Sequence, residues 1–361
     1  MTRFGNWITA VAALSLFAVG ITGSQAGTLR TTDVPFRQDI RALGMGGAYV
    51  AAGKNGSAFL YNPALLNQSF TDISLATGFG FDENVFKMVD VIKVNKIALT
   101  SFAGLTTAEQ NKVFRDLTTL DGERVRFRLA PMLNFVVHNF GIAAYGVVRG
   151  GAGVDKGIFE PRIQADATVD AVVAIGIAKS ISPKMAFGVT TKIINSRSSE
   201  FRIPISKIRN FDGKSVIDSL KSASTGVGFD VGVLYRLSER TNLGASIQDL
   251  YGKVGSNKYP VNVKVGFAWT AKSLTIAADL TDLLNRDGVS IFNRAYMGTE
   301  FRIPFLSLRA GFYQGYLSYG AGLNFKIVKI DVARYKIERS GRPGVDGLGQ
   351  LAAQIKFGIG W

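Results

Sequence analysis

The last eleven residues of the chain alternate. Leu351, Ala353, Ile355, Phe357, Ile359 and Trp361 fall on one side of an extended chain, and Ala352, Gln354, Lys356, Gly358 and Gly360 on the other. One face is apolar and ends in an aromatic; the other is small or polar. This is the pattern of a closing strand in an outer-membrane β-barrel, with lipid on one side, lumen on the other and an aromatic ring at the interface. An edge strand of a soluble sandwich gives the same alternation, so the rest of the chain has to separate the two.

Residues 1–26 read as a secretory signal. Arg3 supplies the positive start, an apolar stretch runs from about Trp7 to Ile21, and Ser24-Gln25-Ala26 offers small residues for cleavage before Gly27. The alternative is an uncleaved membrane anchor, for which the stretch is short. No later segment approaches the ~18 uninterrupted apolar residues of a spanning helix. The chain is nevertheless 47% hydrophobic and holds 41 glycines, which suits a transmembrane barrel better than a secreted enzyme. With no cysteine and one histidine, His138, thiol chemistry and Cys or His metal cages are not expected. No cofactor, metal or catalytic residue is assigned. The net charge of +15 is spread along the chain. Export argues against nucleic acid as its partner; an anionic lipopolysaccharide surface, or an anionic solute in a basic lumen, fits better.

From about residue 70 onward, alternating segments are separated by turns. Strands are expected near 70–80, 84–92, 96–104, 124–137, 140–149, 161–179, 184–198, 223–236, 240–249, 260–270, 273–281, 293–304, 306–313, 317–326, 328–338 and 351–361. Short connections, such as 137–139, 181–183 and 238–240, alternate with long ones near 105–123, 199–222, 282–292 and 339–350. Short turns on the periplasmic side and long loops outside is the barrel convention. Sixteen segments are visible. The first pair is weak and could belong to an internal plug, so about fourteen strands are expected, with sixteen as the alternative.

In 225–235, Thr225, Val227, Phe229, Val231, Val233 and Tyr235 should face out, while Ser224, Gly226, Gly228, Asp230 and Gly232 face in. Glycines on the lumen side leave room for something inside. Arg124, Arg126 and Arg128 share a face; on the lipid side each would cost roughly 2–4 kcal/mol near the midplane, so they belong to the lumen or lie above the bilayer. Two roles are open for them: a patch that receives a carboxylate or phosphate, or a lining paired with acidic neighbours or a plug. Strand 328–338 places Val328, Ile330 and Val332 in line with Arg334 and Lys336. Either the membrane ends there or a bulge switches faces. Pro131 is a place where a strand ladder could break.

Residues 27–69 do not alternate. They carry Arg41-Ala42-Leu43-Gly44-Met45-Gly46-Gly47-Ala48-Tyr49-Val50-Ala51 and then Ser57-Ala58-Phe59-Leu60-Tyr61-Asn62-Pro63-Ala64. Apolar, glycine-rich and not wall-like, this segment is expected inside the barrel as a plug. The run Leu43 to Ala51 followed by Asn62-Pro63-Ala64 resembles the N-terminal hatch of the FadL-type outer-membrane transporter superfamily, closest to the branch with PorV/PorQ-type barrels. The stretches 278–282, 305–311 and 319–323 resemble that branch too. The resemblance implies a fourteen-stranded barrel (70–361) with a lumenal hatch (27–69), the hatch residues being Gly44, Gly46, Gly47, Asn62, Pro63 and Ala64. It implies passive uptake of hydrophobic or amphipathic small molecules such as long-chain fatty acids, or, in a PorV-like role, the binding of a secreted protein. Phe59, Tyr61, Arg124, Arg126 and Arg128 are the candidate ligand contacts. Phe357 and Trp361 are the candidate signal read by the barrel-assembly machinery.

Other constellations read as bland. Gly44-Met45-Gly46-Gly47 lacks the Lys-Ser/Thr of a phosphate loop, and Gly255-Ser256 lacks the nucleophile elbow. His138 falls in a short turn without a partner for catalysis. Asp279, Asp282 and Asp287 do not match a calcium-loop spacing and read as a solvated loop cluster.

Overall fold

The computed structural model describes residues 38–360 except 70, 101, 121–123, 157–159, 211–219 and 221–222. The expected signal, residues 27–37 and Trp361 lie outside the described residues. The strands are β1 (Asp72–Asp82), β2 (Arg124–Val137), β3 (Phe140–Asp155), β4 (Arg162–Ser182), β5 (Met185–Pro204), β6 (Ser224–Ser238) and β7 (Thr241–Val254) in the first half. They continue as β8 (Asn262–Ala271), β9 (Leu274–Leu280), β10 (Ala295–Arg302), β11 (Leu306–Tyr313), β12 (Tyr316–Asn324), β13 (Val328–Glu338) and β14 (Gly347–Ile359). Each pairs antiparallel with the next, and β1 closes on β14 from Ile73↔Ile359 to Asp82↔Gln350. A two-residue piece, Asn257–Lys258, extends β7 without adding a wall strand. The wall therefore has fourteen strands, not sixteen. Closure removes every free edge, which is what lets a sheet stand in a medium without hydrogen-bonding partners.

The period-two pattern sets the two faces. Leu75, Phe127, Leu133, Ile175, Ile193, Val227, Leu308, Leu317 and Phe357 are exposed on the outside, whereas Ser74, Asn134, Thr190, Asp230, Glu300, Arg309, Gln354 and Lys356 are buried inside. A continuous apolar outer band around a polar interior is the signature of a transmembrane barrel. The register of β13 on β14 runs unbroken from Val328↔Phe357 to Glu338↔Gly347. No bulge moves Arg334 inward; it stays outside, ion-paired with Glu83 and donating to the Tyr319 hydroxyl at 2.6 Å. Lys336 sits 5.6 Å from the Tyr316 ring centroid. Cations and tyrosines together mark the upper edge of the band, so the membrane ends between Val332 and Arg334. At Pro131, the β2–β3 ladder skips Ala130 and Pro131 but keeps its register, while Thr77 still faces Pro131 on the β1 side.

The expected strands 84–92 and 96–104 are absent. That stretch is a helix, α2 (Val85–Thr100), followed by a 3-10 turn at Phe102–Gly104. Short apolar runs look the same in a strand and a helix, and Val85 to Thr100 intersperses apolar residues with Lys87, Asp90, Lys93 and Lys96 without a clean helical stripe. The expected loop 105–123 contains a further helix, α3 (Thr107–Thr118), whose start is fixed by a capping box: Glu109 N–H donates to Thr106 Oγ1, and Thr106 N–H donates to Glu109 Oε2. The Thr106 N–H and the Thr106 hydroxyl, both donating to Glu109 Oε2, hold the Glu109 carboxyl below its usual range. The helix α1 (Ile40–Gly44) precedes the wall, with 3-10 turns at Ala58–Leu60 and Pro63–Gln68.

Candidate functional site

The inward face of the wall is cut away where residues 38–69 pack against it. A Cβ placed on Gly188 would fall 2.4 Å from the Pro63 carbonyl carbon, and one on Gly244 2.7 Å from Val50 O. Gly298 approaches Met45 O to 2.1 Å in the same sense, and Gly320 approaches the Gly44 Cα to 3.0 Å. These glycines belong to β5, β7, β10 and β12. Their missing side chains make one seat around the barrel, and the small residues of the segment fit it.

Inside the seat the segment is held by buried polar groups. Asp39 caps α1 through Arg41 N–H and accepts from Asn55 Nδ2 at 2.8 Å, while its own N–H donates to the Tyr61 hydroxyl at 2.9 Å. This ties the two halves of the segment together. Asn62 does the same lower down. Its Oδ1 accepts from Ala64 N–H, and its Nδ2 donates to Val50 O at 3.0 Å and to Val233 O of β6 at 3.1 Å. Pro63 stands in the first turn of the following 3-10 helix, where its lack of an N–H costs nothing.

Charged anchors come from the wall. Asp279 of β9 accepts from Val50 N–H at 2.8 Å and also from Tyr49 N–H. Glu300 of β10 has a fully buried side chain and accepts from Arg41 Nε and Nη2, both at 2.7 Å, and from Arg309 Nε at 2.7 Å. Arg309 passes the chain on to Asp331 at 2.6 Å. Asp72 of β1 accepts from Gly56 N–H and from Lys356 Nζ of β14, each at 2.6 Å. A carboxylate buried without partners is expensive; here each has at least one oxygen matched, Asp279 through Oδ2 alone while its buried Oδ1 accepts no bond, so segment and wall depend on each other.

Above this level the lumen is polar. Lys192 lies 2.9 Å from Asp230 and 2.7 Å from Asp249, and Arg149 lies 2.6 Å from Asp170. No continuous apolar tunnel is formed by these residues.

The residues singled out in the sequence divide into three groups. Gly44, Gly46, Gly47, Asn62, Pro63 and Ala64 all lie in the segment and meet the wall or its own fold. Phe59 is fully buried in a cluster with Leu66, Val136, Ala143 and Ala174, where Gly141 and Gly176 make room for its ring. Tyr61 stacks edge-on to Tyr49, with centroids 4.9 Å apart. Arg128 reaches down to the segment, donating to Gln38 Oε1 at 2.6 Å, with Tyr335, Tyr313 and Tyr61 around it. Arg126 shares its face but is exposed, its N–H donating to Asp82; Arg124 continues the register opposite Gly153. Phe357 faces out.

His138 is exposed in the turn between β2 and β3. Asp279, Asp282 and Asp287 do not converge: Asp279 serves the segment, and Asp282 accepts from Arg286 and Asp287 N–H within its own loop. Among the described residues no group of three or more His, Cys, Asp or Glu is placed to hold a metal. Sequence reading missed Asp39, Asp279, Glu300 and Arg309. For Asp279, Glu300 and Arg309 the signal was present, because each stands at an inward position of an otherwise alternating strand.

The fold is that of the FadL-type outer-membrane channels. The TodX monoaromatic hydrocarbon channel deltaS2 mutant is 14% identical with a TM-score of 0.55, covering 89% of this chain and 98% of that one. The Pseudomonas putida toluene transporter TodX is 15% identical with a TM-score of 0.53, covering 88% and 96%. The Ralstonia pickettii toluene transporter TbuX is 16% identical with a TM-score of 0.53, covering 89% and 97%. None of the curated protein sequences compared with the chain matches it. A family model described as "F plasmid transfer operon, TraF, protein" matches residues 59–254, from Phe59 in the segment to the end of β7. With more than half of its length on that model, the chain belongs to the family described as F plasmid transfer operon, TraF, protein.

Proposed function

We propose that the chain is an outer-membrane channel for passive uptake of hydrophobic or amphipathic small molecules, with residues 27–69 as its hatch. The observation that carries this reading is the segment seated on inward glycines and buried carboxylates within a closed fourteen-stranded wall. The likeness of fold to hydrocarbon channels points the same way. The ligand would be captured at the loop end and pass when the segment shifts; Arg128, Tyr61 and Phe59 would line its path and receive the polar end of an amphipath such as a long-chain fatty acid. The skipped ladder at Pro131 is where a lateral exit would open. The test is uptake of labelled toluene and of labelled oleate by cells or proteoliposomes carrying the protein. Uptake of either above empty vesicles supports the reading, and uptake of neither overturns it.

A second reading is favoured by two observations: the polar upper lumen, and the family description, which speaks of plasmid transfer. In that reading the barrel binds a secreted or surface protein and moves no small molecule. Co-purification of a defined partner from the native envelope, together with absent uptake, would select it.

A further inference from the structure

The helix α2 carries apolar residues on two opposite sides. Its Met88 and Val91 pack with Phe102, Phe114, Val113 and Leu117 of the following turn and helix. Its other side presents Phe86, Val89 and Val94, exposed by 59%, 38% and 76%. Asp90 and Lys93 are exposed between them, so this second face is mixed apolar and charged, and among the described residues nothing covers it.

The position of α2 identifies what covers it. The helix begins three residues after β1 ends. Phe86 meets the ring of Phe81 edge-on, with centroids 6.1 Å apart. Phe81 stands opposite Phe127 of β2 and on the same side of β1 as the exposed Leu75 and Phe79, which is the outer face. The α2–α3 hairpin also rests on Val154 of β3 and Ile163 of β4. Those two are paired across the ladder, one register step from the inward Gly153 and Gln164, so they too lie on the outer face. The hairpin therefore leans against the outside of the raised wall. It starts at the level of Glu83, whose ion pair with Arg334, itself donating to the Tyr319 hydroxyl, marks the upper edge of the lipid-facing band. Lys93 is exposed on the same side, beside Asp90, where its long cationic side chain can reach the headgroup layer.

We infer that α2 is an interfacial helix: Phe86, Val89 and Val94 dip into the upper acyl chains of the leaflet at the loop end, beside the barrel's own lipid-facing band, while Asp90 and Lys93 between them stay at the headgroups. The hairpin thereby rests on the membrane surface beside the barrel and not over its mouth. This rests on the transmembrane reading of the wall and is independent of what, if anything, the barrel transports.

The absence of cysteine makes the test clean. Single cysteines are placed by Val94→Cys on the exposed face of α2, by Phe127→Cys on the outer band and by Arg115→Cys on the exposed side of α3. Each is labelled with bimane in proteoliposomes of phosphatidylcholine brominated along the acyl chains. Quenching at position 94 is expected within about twofold of that at 127 and several-fold above that at 115, with aqueous iodide giving the reverse order. Strong iodide quenching at 94 would show a solvated face and overturn the inference. Protection from both quenchers would show a protein cover, another chain or a second copy, and would overturn it equally. Lack of lipid quenching at 127 would remove the transmembrane reading itself, which separates the two failures. All three positions are exposed, so folding is checked simply by heat-modifiable gel mobility.

Discussion

At the residue scale, two glycines separated only by Met45 make a sharp contrast. Gly46 has φ +65°, and a Cβ there would meet Met297 O at 2.1 Å and the Phe312 backbone at 2.6 Å. Backbone cannot swing aside, and the left-handed conformation is itself costly for a side chain. Gly46→Ala should cost on the order of 3 kcal/mol, from overpacking plus strain. Gly44 has an ordinary φ, and its Cβ would meet the Gly320 Cα at 3.2 Å and the Arg309 side chain at 3.3 Å. Gly44→Ala should cost less than half as much. Urea-unfolding midpoints of the two variants in detergent check the order; equal losses would mean that the seat is softer than its geometry. Asn62→Ala removes one acceptor and two donors at a fully buried site and leaves Val50 O and Val233 O without those bonds. A loss of about 2–3 kcal/mol is expected, whereas Asn62→Asp keeps the Ala64 contact but turns a carboxylate oxygen toward Val50 O and Val233 O, so it should be at least as costly at neutral pH and recover at low pH, when the protonated carboxyl can donate to one of them. The Asn-Pro-Ala turn was readable because a capping side chain and Pro at the first helical position are local signals. The two outward hydrogen bonds of Asn62 were not, because they depend on which strands lie beside it.

At the element scale, the wall was legible because alternation reports a half-buried strand directly. In β6, the sequence order Thr225, Val227, Phe229, Val231 outside and Asp230, Gly232 inside is what the structure holds. The stretch 84–104 was not legible as helix. Its interspersed apolar residues imitate a strand run, and only the place of the stretch against the outer wall distinguishes the two. Helix α3 did carry a local signal in Thr106 and Glu109, the capping box. The anchor between α1 and β10 leads to a further prediction. Glu300 neutralises Arg41 and Arg309 together and also meets Arg302 at 3.2 Å, so Glu300→Ala leaves Arg41 without its carboxylate and Arg309 with Asp331 alone. Breaking one partner from a buried ion cluster costs about 3–5 kcal/mol. Arg41→Met removes one cation, leaves Glu300 with Arg309, and should be milder. In planar bilayers Arg41→Met should also raise the single-channel conductance, since it cuts the link between segment and wall while sparing the wall's own pair. A conductance equal to that of the wild type would show that the segment is held by Asp279, Asp72 and the glycine seat alone.

At the scale of the whole molecule, barrel and segment solve each other's burial problem. The glycines of β5, β7, β10 and β12 leave that part of the wall without inward side chains, and Asp72, Asp279 and Glu300 point inward beside it. In the assembled protein those carboxylates meet Gly56, Tyr49, Val50 and Arg41 of the segment. Without the segment the lumen would fill with water, which hydrates the same carboxylates at no great cost; what is lost is the apolar contact of Phe59, Leu65 and Leu66. Deleting residues 40–68 should therefore leave a barrel that still closes through the β1–β14 ladder and still shows heat-modifiable mobility, but melts at a lower temperature. Its conductance should rise several-fold, because water and ions replace side chains throughout the lower lumen. Removal of 357–361 should act oppositely: it takes away the partners of Ile73, Ser74 and Leu75 at the seam, so closure itself fails and degraded chains are expected in cells. A segment deletion that abolished assembly would show that the wall is built around the segment. One that assembled with unchanged conductance would mean that the lower lumen is blocked by the wall's own side chains, and the hatch would have no gating role.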